Sequence, residues 1–286
     1  MKKTYKLYTT LAFILLYAPL LIMVFFSFNS TESTGVFTGF SLKWYKSLFE
    51  DADGSIKSAL MYSITLAVIS SLVATFIGTL AALGISKFRK KYVKNAIVTV
   101  TNIPMVNPEI VTAVSIVLLF SALFTIFKIK IGDFASLLIA HITFNLPYVV
   151  LSVMPKIKQM DGSLTEAAMD LGCTPAKAFF KIELPQIMPG IFSGLIMAFT
   201  MSFDDFVISH FTAGTIETLP LKIYSMTGKG SVTPDMYALS TFMMIAILLM
   251  LILSNLVQSK DERAKTKAMR ALKQSRLKAA KGGNQK

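Results

Sequence analysis

Residues 163–185 read SLTEAAMDLGCTPAKAFFKIELP, and their grammar is that of two short helices around a glycine turn. Ser163 and Glu166 have the S-x-x-E spacing of a capping box, which predicts a helix start at Ser163. Gly172 stands where a helix end calls for a positive φ. Thr174 is placed to cap a second helix, with Pro175 at its first position, where a missing N–H costs nothing. Pro185 reads as the stop of that second helix. The same outline describes a DNA-reading helix-turn-helix. The flanking sequence decides between a nucleic-acid reader and something else.

Those flanks are apolar. Of the 286 residues, 53% are hydrophobic and 16% charged, with a mean hydropathy of +0.60. In a soluble domain charged residues alone take about a quarter of the chain. A membrane span needs about 20 mostly apolar residues. Six runs qualify: residues 7–28, 59–84, 98–127, 134–154, 189–211 and 235–257. The third is interrupted at NIPMVNPEI, so its true start is expected near Asn107. Lys2, Lys3 and Lys6 precede the first run as they would in a signal peptide. That run is too long for a signal h-region, and no A-x-A-like site follows it, so it reads as an uncleaved span.

Placing the N-terminus inside puts 22 of the 29 Lys and Arg residues on the cytoplasmic side and 7 outside. This asymmetry predicts six spans with both termini cytoplasmic. It also gives the net charge of +13 a source other than nucleic-acid binding. The expected fold class is therefore an all-α integral membrane protein of six transmembrane helices. Residues 1–258 would form the membrane domain and 259–286 a basic cytoplasmic tail, read as an orientation signal and a solvated segment. The single cysteine, Cys173, excludes an intrachain disulfide.

The opening stretch thus falls in the cytoplasmic loop 155–188, tied to the membrane at both ends. Its second helix, PAKAFFKIEL, offers two lysines and two phenylalanines, a poor set for reading base edges and phosphates. A docking element fits better, with Ala167 and Ala168 giving the first helix a small-residue face. Glu166-Ala167-Ala168, then Gly172, then Ile182-Glu183-Leu184-Pro185 resembles the EAA loop of the permease subunits of bacterial ABC importers. The resemblance implies a type I permease fold in which this loop couples to a separate ATPase. The coupling residues would be Glu166, Ala167, Ala168, Gly172, Leu184 and Pro185. Locally, Glu166 also serves as a capping partner, Gly172 as a C-cap and the alanines as helix formers. SFNS (27–30), HITFNLPYVV (141–150), SFDDFVISHF (202–211) and LPLKIYSM (219–226) extend the likeness to the spermidine/putrescine permeases of the PotC type.

No G-x-x-x-x-G-K-[ST] run occurs, so the chain is not expected to be an enzyme. ATP and Mg would sit on the partner, and no cofactor is expected in this chain. The resemblance implies a homologous second permease subunit, two ATPase subunits, an external substrate-binding protein and a bacterial inner (plasma) membrane with its lipid. Nucleic acid is not among the expected partners.

Ionisable groups inside a membrane are expensive and mark pathways by default. Glu109, Asp204 and Asp205 are the candidates, with Phe203, Phe206 and Tyr148 as aromatic faces for an alkylammonium cargo. On a continuous helix the two aspartates would point about 100° apart, one toward the path and one toward a structural contact. Glu109 equally suits a helix start, where its charge favours the dipole. The aspartates equally suit helix–helix hydrogen bonds or a contact in the external loop. His141 and His210 read as packing or polar glue, and no metal site is expected. Another organic solute and an ion-coupled carrier remain as alternative readings.

Overall fold

The computed structural model describes residues 2–32, 35–50, 54–227, 234–253 and 255–256. The expected basic tail, residues 259–286, lies outside them. The described secondary structure is helical apart from one isolated antiparallel bridge, Asn29 to Phe40. In chain order the helices are α1 (Lys2–Phe26), α2 (Lys43–Glu50), α3 (Ser55–Ser86), α4 (Lys91–Val106), α5 (Glu109–Phe127) and α6 (Asp133–Gln159). They continue as α7 (Gly162–Asp170), α8 (Pro175–Ala178), α9 (Leu184–Phe203), α10 (Val207–Thr212) and α11 (Leu219–Thr227). The last, α12, is Pro234–Leu253.

Among the described residues six stretches are long and apolar enough to cross a membrane. They are Lys6–Phe26, Ser55–Ser86, Glu109–Phe127, Asp133–Gln159, Pro175–Phe203 and Pro234–Leu253. The count agrees with the sequence, and the fifth span, Pro175–Phe203, differs from the run 189–211 at both ends. The third span starts at Glu109, as the interruption near Asn107 led one to expect, because Asn107 and Pro108 separate it from α4. The residue before a proline is pushed out of the helical region, and Asn107 is extended at φ −73°, ψ 144°. The fifth span ends at Phe203 rather than near residue 211, and α10 follows after a break.

The chain divides into two compact units. Of the described residues, one holds those within 1–66, 113–137 and 203–248, the other those within 67–112, 138–202 and 249–256. In the first, the segment after α1 is a knot of hydrogen bonds around Asn29. Its buried amide donates to the Val36 carbonyl at 2.9 Å and accepts from Thr38 N and Oγ1. The Trp44 indole closes on the Asn29 carbonyl at 2.7 Å, and Ser27 meets the Tyr45 hydroxyl at 2.7 Å. The SFNS motif therefore fastens α2 to the end of α1.

In the second unit, small residues at four-residue spacing bring helices close. Ser70, Ala74, Gly78 and Ala82 recur on α3, and Gly190, Gly194, Ala198 and Ser202 on α9, all buried. Within a bilayer, apolar burial supplies no net drive between helices, so close backbone approach and hydrogen bonds do the work. A Cβ on Gly78 would stand 2.7 Å from Val149 Cγ1, and one on Gly190 2.9 Å from the Ser152 carbonyl. Around these contacts Val149, Val150, Val153 and Met154 of α6 pack with Ala74, Ala82 and Ile85 of α3 and Ala198 of α9.

Candidate functional site

The loop that follows α6 is built by three separate devices. Asp161, not Ser163, is the N-cap of α7. Its carboxylate accepts from Ser163 N at 3.1 Å and Ser163 Oγ at 2.7 Å. The expected capping box is thus replaced: Ser163 lies inside the first turn, and its hydroxyl is used as a donor. The end of α7 follows the sequence. Gly172 adopts φ +86°, Gly172 N donates to the Met169 carbonyl, and Cys173 N donates to the Ala168 carbonyl. That pair of bonds is the Schellman closure. Thr174 then caps α8, accepting from Lys177 N at 3.4 Å, with Pro175 in the first turn.

Pro185 does not stop the second helix. A single π-turn, Phe179–Glu183, joins α8 to α9, and Leu184 N donates to the Phe179 carbonyl. A proline at 185 cannot supply the N–H that the Lys181 carbonyl would receive, and its ring crowds that carbonyl. Widening the helix by one residue just ahead of it relieves both faults. The span therefore runs unbroken from Pro175.

The residues expected to couple differ in burial. Ala168 and Ala178 are buried, and α7 packs on α8 and the π-turn. Glu166, Ala167, Gly172 and Pro185 are exposed, and Leu184 is half-buried. Beside them Leu164, Met169, Leu171 and Phe180 are exposed apolar side chains, with Leu171 at 87%. Leu171 and Phe180 escaped the sequence reading, although an apolar residue beside a C-cap glycine in a polar loop was the available signal.

The second candidate region is the break after α9. Asp204 and Asp205 do not share a helix, which corrects the expectation of a continuous turn. Asp205 is buried and serves as a cap: Oδ2 accepts from Ser209 N at 2.7 Å and Oδ1 from Ile208 N at 3.3 Å. A carboxylate at the start of α10 satisfies donors that would otherwise be orphaned. Asp204 is exposed. Phe203 is buried, so it offers no free face to a cation, whereas Phe206 is half-buried. These four residues belong to the first unit, and Glu109 and Tyr148 to the second. Glu109 is exposed in the first turn of α5, where a carboxylate suits the helix dipole. Tyr148 is half-buried with its ring 5.4 Å from that of Phe144.

His141 forms a buried clasp. Its Nδ1 lies 2.8 Å from Ser202 Oγ, which lies 2.9 Å from Ser70 Oγ. The four-residue recurrence of small residues on α3 and α9 was the sequence signal for these contacts. Among the described residues no group of three or more His, Cys, Asp or Glu side chains is placed to hold a metal ion.

Six apolar helices, a pair of short packed helices ahead of the fifth span and a capped break after it suit a membrane permease. Residues 74–260 match the family described as the binding-protein-dependent transport system inner membrane component. The chain belongs to that family. Among curated proteins, it is 38% identical over 243 residues to the putrescine transport system permease protein PotI of Escherichia coli K12. That match covers 83% of this chain and 84% of the relative. It is 39% identical over 254 residues to the spermidine/putrescine transport system permease protein PotC of Escherichia coli K12, covering 87% and 92%. The corresponding PotC of Haemophilus influenzae is 39% identical over 247 residues, covering 86% and 93%. In fold, the chain is similar to a subunit of a bacterial ABC transporter for the import of the acidic polysaccharide alginate. The TM-score is 0.65 at 18% identity, over 92% of this chain and 96% of that one. The type I permease architecture expected from the sequence is thus the fold of the chain.

Proposed function

We propose that this chain is the permease subunit of an ATP-driven importer whose cargo is a polyamine, spermidine or putrescine. The observation that carries the reading is its 38–39% identity, over most of its length, to permeases named for those cargoes. Its site chemistry agrees. An exposed Asp204 at the break of a span supplies negative charge for an alkylammonium group, and Asp205 caps α10 beside it. An anionic cargo would be repelled there. Glu109 and Tyr148 are secondary candidates along the path.

The chain pairs with a homologous second permease, two ATPase subunits and an external binding protein that delivers the cargo. ATP and Mg belong to the ATPases. The protein spans a bacterial inner membrane with both termini in the cytoplasm, an orientation supported by the excess of Lys and Arg in the segments placed inside. The loop 155–188 seats on the ATPase through Glu166, Ala167 and Pro185 and the exposed Leu171 and Phe180, while Ala168 and Gly172 hold the two helices in shape. ATPase closure displaces this loop, and the displacement passes into α6 and α9 and turns the path outward.

The test is reconstitution with the ATPase, second permease and binding protein in proteoliposomes. ATP-dependent uptake of spermidine or putrescine is expected. Uptake of a different organic solute with no response to either polyamine would reassign the cargo, and transport by this chain alone would reassign the mechanism.

A further inference from the structure

Within the first unit, three rings gather immediately after Asp204. Phe206 stands at the start of α10, and His210 lies one turn on, which puts both on one face of that short helix. Their rings are 5.4 Å apart and nearly parallel, at 25°. Tyr224 of α11 closes the group, 4.7 Å from Phe206 and 6.0 Å from His210, inclined by 47° and 70°. Two stacked rings and one inclined ring make a corner rather than a flat stack. Rings that cluster only to fill a core are buried. Here Tyr224 is 57% exposed and His210 is exposed.

The exposed side of this corner does not suit lipid. Asp204, two residues before Phe206, is exposed, and a carboxylate turned to hydrocarbon is costly. The corner is also held still. Asp205 caps α10, while Leu219 N at the start of α11 donates to the buried Ser63 Oγ at 2.7 Å. Between them, Thr215 N donates to the Asp133 carboxylate at 2.8 Å, with Gly214 at φ +58° making room. The nearest cation on α11, Lys222, is already paired with Glu217 at 3.2 Å, so its charge is compensated.

We propose that Phe206, His210 and Tyr224 form the wall of an alkylammonium site whose anionic end is Asp204. A ring face attracts a cation through its quadrupole, and a fixed corner of faces binds methylene groups while leaving the ammonium to the carboxylate. A diammonium alkane presents both features, one charge for Asp204 and a short apolar chain for the rings. Tyr224 and His210 are thereby assigned to cargo recognition, in place of the buried Phe203. The inference rests on the polyamine-importer reading above.

The test alters the electronics of one ring at nearly constant size. Tyr224→Phe and Tyr224 replaced by pentafluorophenylalanine, introduced by stop-codon suppression, are compared in the reconstituted four-component complex with labelled putrescine. The fluorinated ring inverts the quadrupole. Uptake at saturating binding protein is expected to be roughly tenfold lower for the fluorinated ring than for Tyr224→Phe. His210→Lys, which places a cation in the corner, is expected to abolish uptake in complexes that still assemble. Equal uptake by the Phe and pentafluorophenylalanine variants overturns the aromatic wall and leaves the importer reading intact. Absence of ATP-dependent putrescine uptake by the unaltered complex overturns the importer reading itself.

Discussion

His141 Nδ1 lies 2.8 Å from Ser202 Oγ, with both side chains buried in the second unit. The imidazole and the Ser70 hydroxyl together tie α9 to α6 and α3. Hydrogen bonds between membrane helices contribute on the order of 1 kcal/mol each. Ser202→Ala is therefore expected to cost about 1 kcal/mol, and His141→Ala about 2–4 kcal/mol because a cavity is added. Thermal denaturation in nanodiscs reads both. A Ser202→Ala protein as stable as the parent would mean the clasp contributes nothing.

Gly78 and Gly190 separate two kinds of close approach. A Cβ on Gly78 meets the side chain of Val149, whereas one on Gly190 meets the backbone carbonyl of Ser152 at 2.9 Å. Each Gly→Ala change should destabilise by about 1–3 kcal/mol. Adding Val149→Ala removes the Cγ1 contact at 2.7 Å but keeps Val149 Cβ at 2.8 Å, so it should recover only a small part of the Gly78→Ala loss. No side-chain truncation should recover Gly190→Ala, because cutting Lys156 back removes its Cγ at 2.8 Å but leaves the Ser152 carbonyl at 2.9 Å. The same denaturation assay distinguishes them.

The two aspartates at the break are expected to part company. Asp205→Ala removes a buried cap and should cost about 1–2 kcal/mol, with Asp205→Asn retaining some of it. Asp204→Lys should leave the protein folded and abolish polyamine uptake. Normal uptake in Asp204→Lys would remove that residue from the path.

Gly172 at φ +86° has open space where a Cβ would go, so strain there is in the backbone and not in packing. Gly172→Asn should be tolerated, because Asn visits this region readily. Gly172→Asp adds a charge to the face proposed to meet the ATPase and should uncouple ATP hydrolysis from uptake. Glu166→Lys should do the same from the neighbouring turn. A normal ratio of uptake to hydrolysis in both variants would remove the loop from the coupling path.

The Ser163 hydroxyl, and then its amide, hold the Asp161 carboxyl below the usual carboxylate range. A carboxyl with a lowered folded value contributes stability above its unfolded value, about 3.9. That contribution is lost as pH falls through the lower, folded value. The cap of α7 should thus be constant between about pH 5 and 8. Asp161→Ala should reproduce the acid state at neutral pH, seen as faster hydrogen exchange across residues 162–170.

The sequence was most legible where one physical rule acted alone. Six apolar runs gave six spans, and the demand for φ > 0 marked Gly172. It was least legible where rules competed. Asp161 and Ser163 are both good caps, and only geometry shows that the aspartate takes the role while the serine donates to it. Pro185 looked like an end because a proline breaks an α-helix, and a π-turn answers that fault without leaving the helix. Asp204 and Asp205 look alike in sequence, but burial separates a cap from an exposed charge. Tyr224 was invisible as a partner of Phe206, because no local periodicity links α10 to α11.

The π-turn at Phe179–Glu183 has a mechanical meaning. It carries the helix unbroken from Pro175 to Ser202, roughly 42 Å at 1.5 Å per residue, and gives it two places to bend, the widened turn itself and Pro189. At one end stands the glycine-turned helix pair, and at the other the clasp of His141 and Ser70. Both bends lie in the half nearest the loop. Between Gly190 and Ser202 the helix holds no further proline, so that part meets its neighbours as one straight segment.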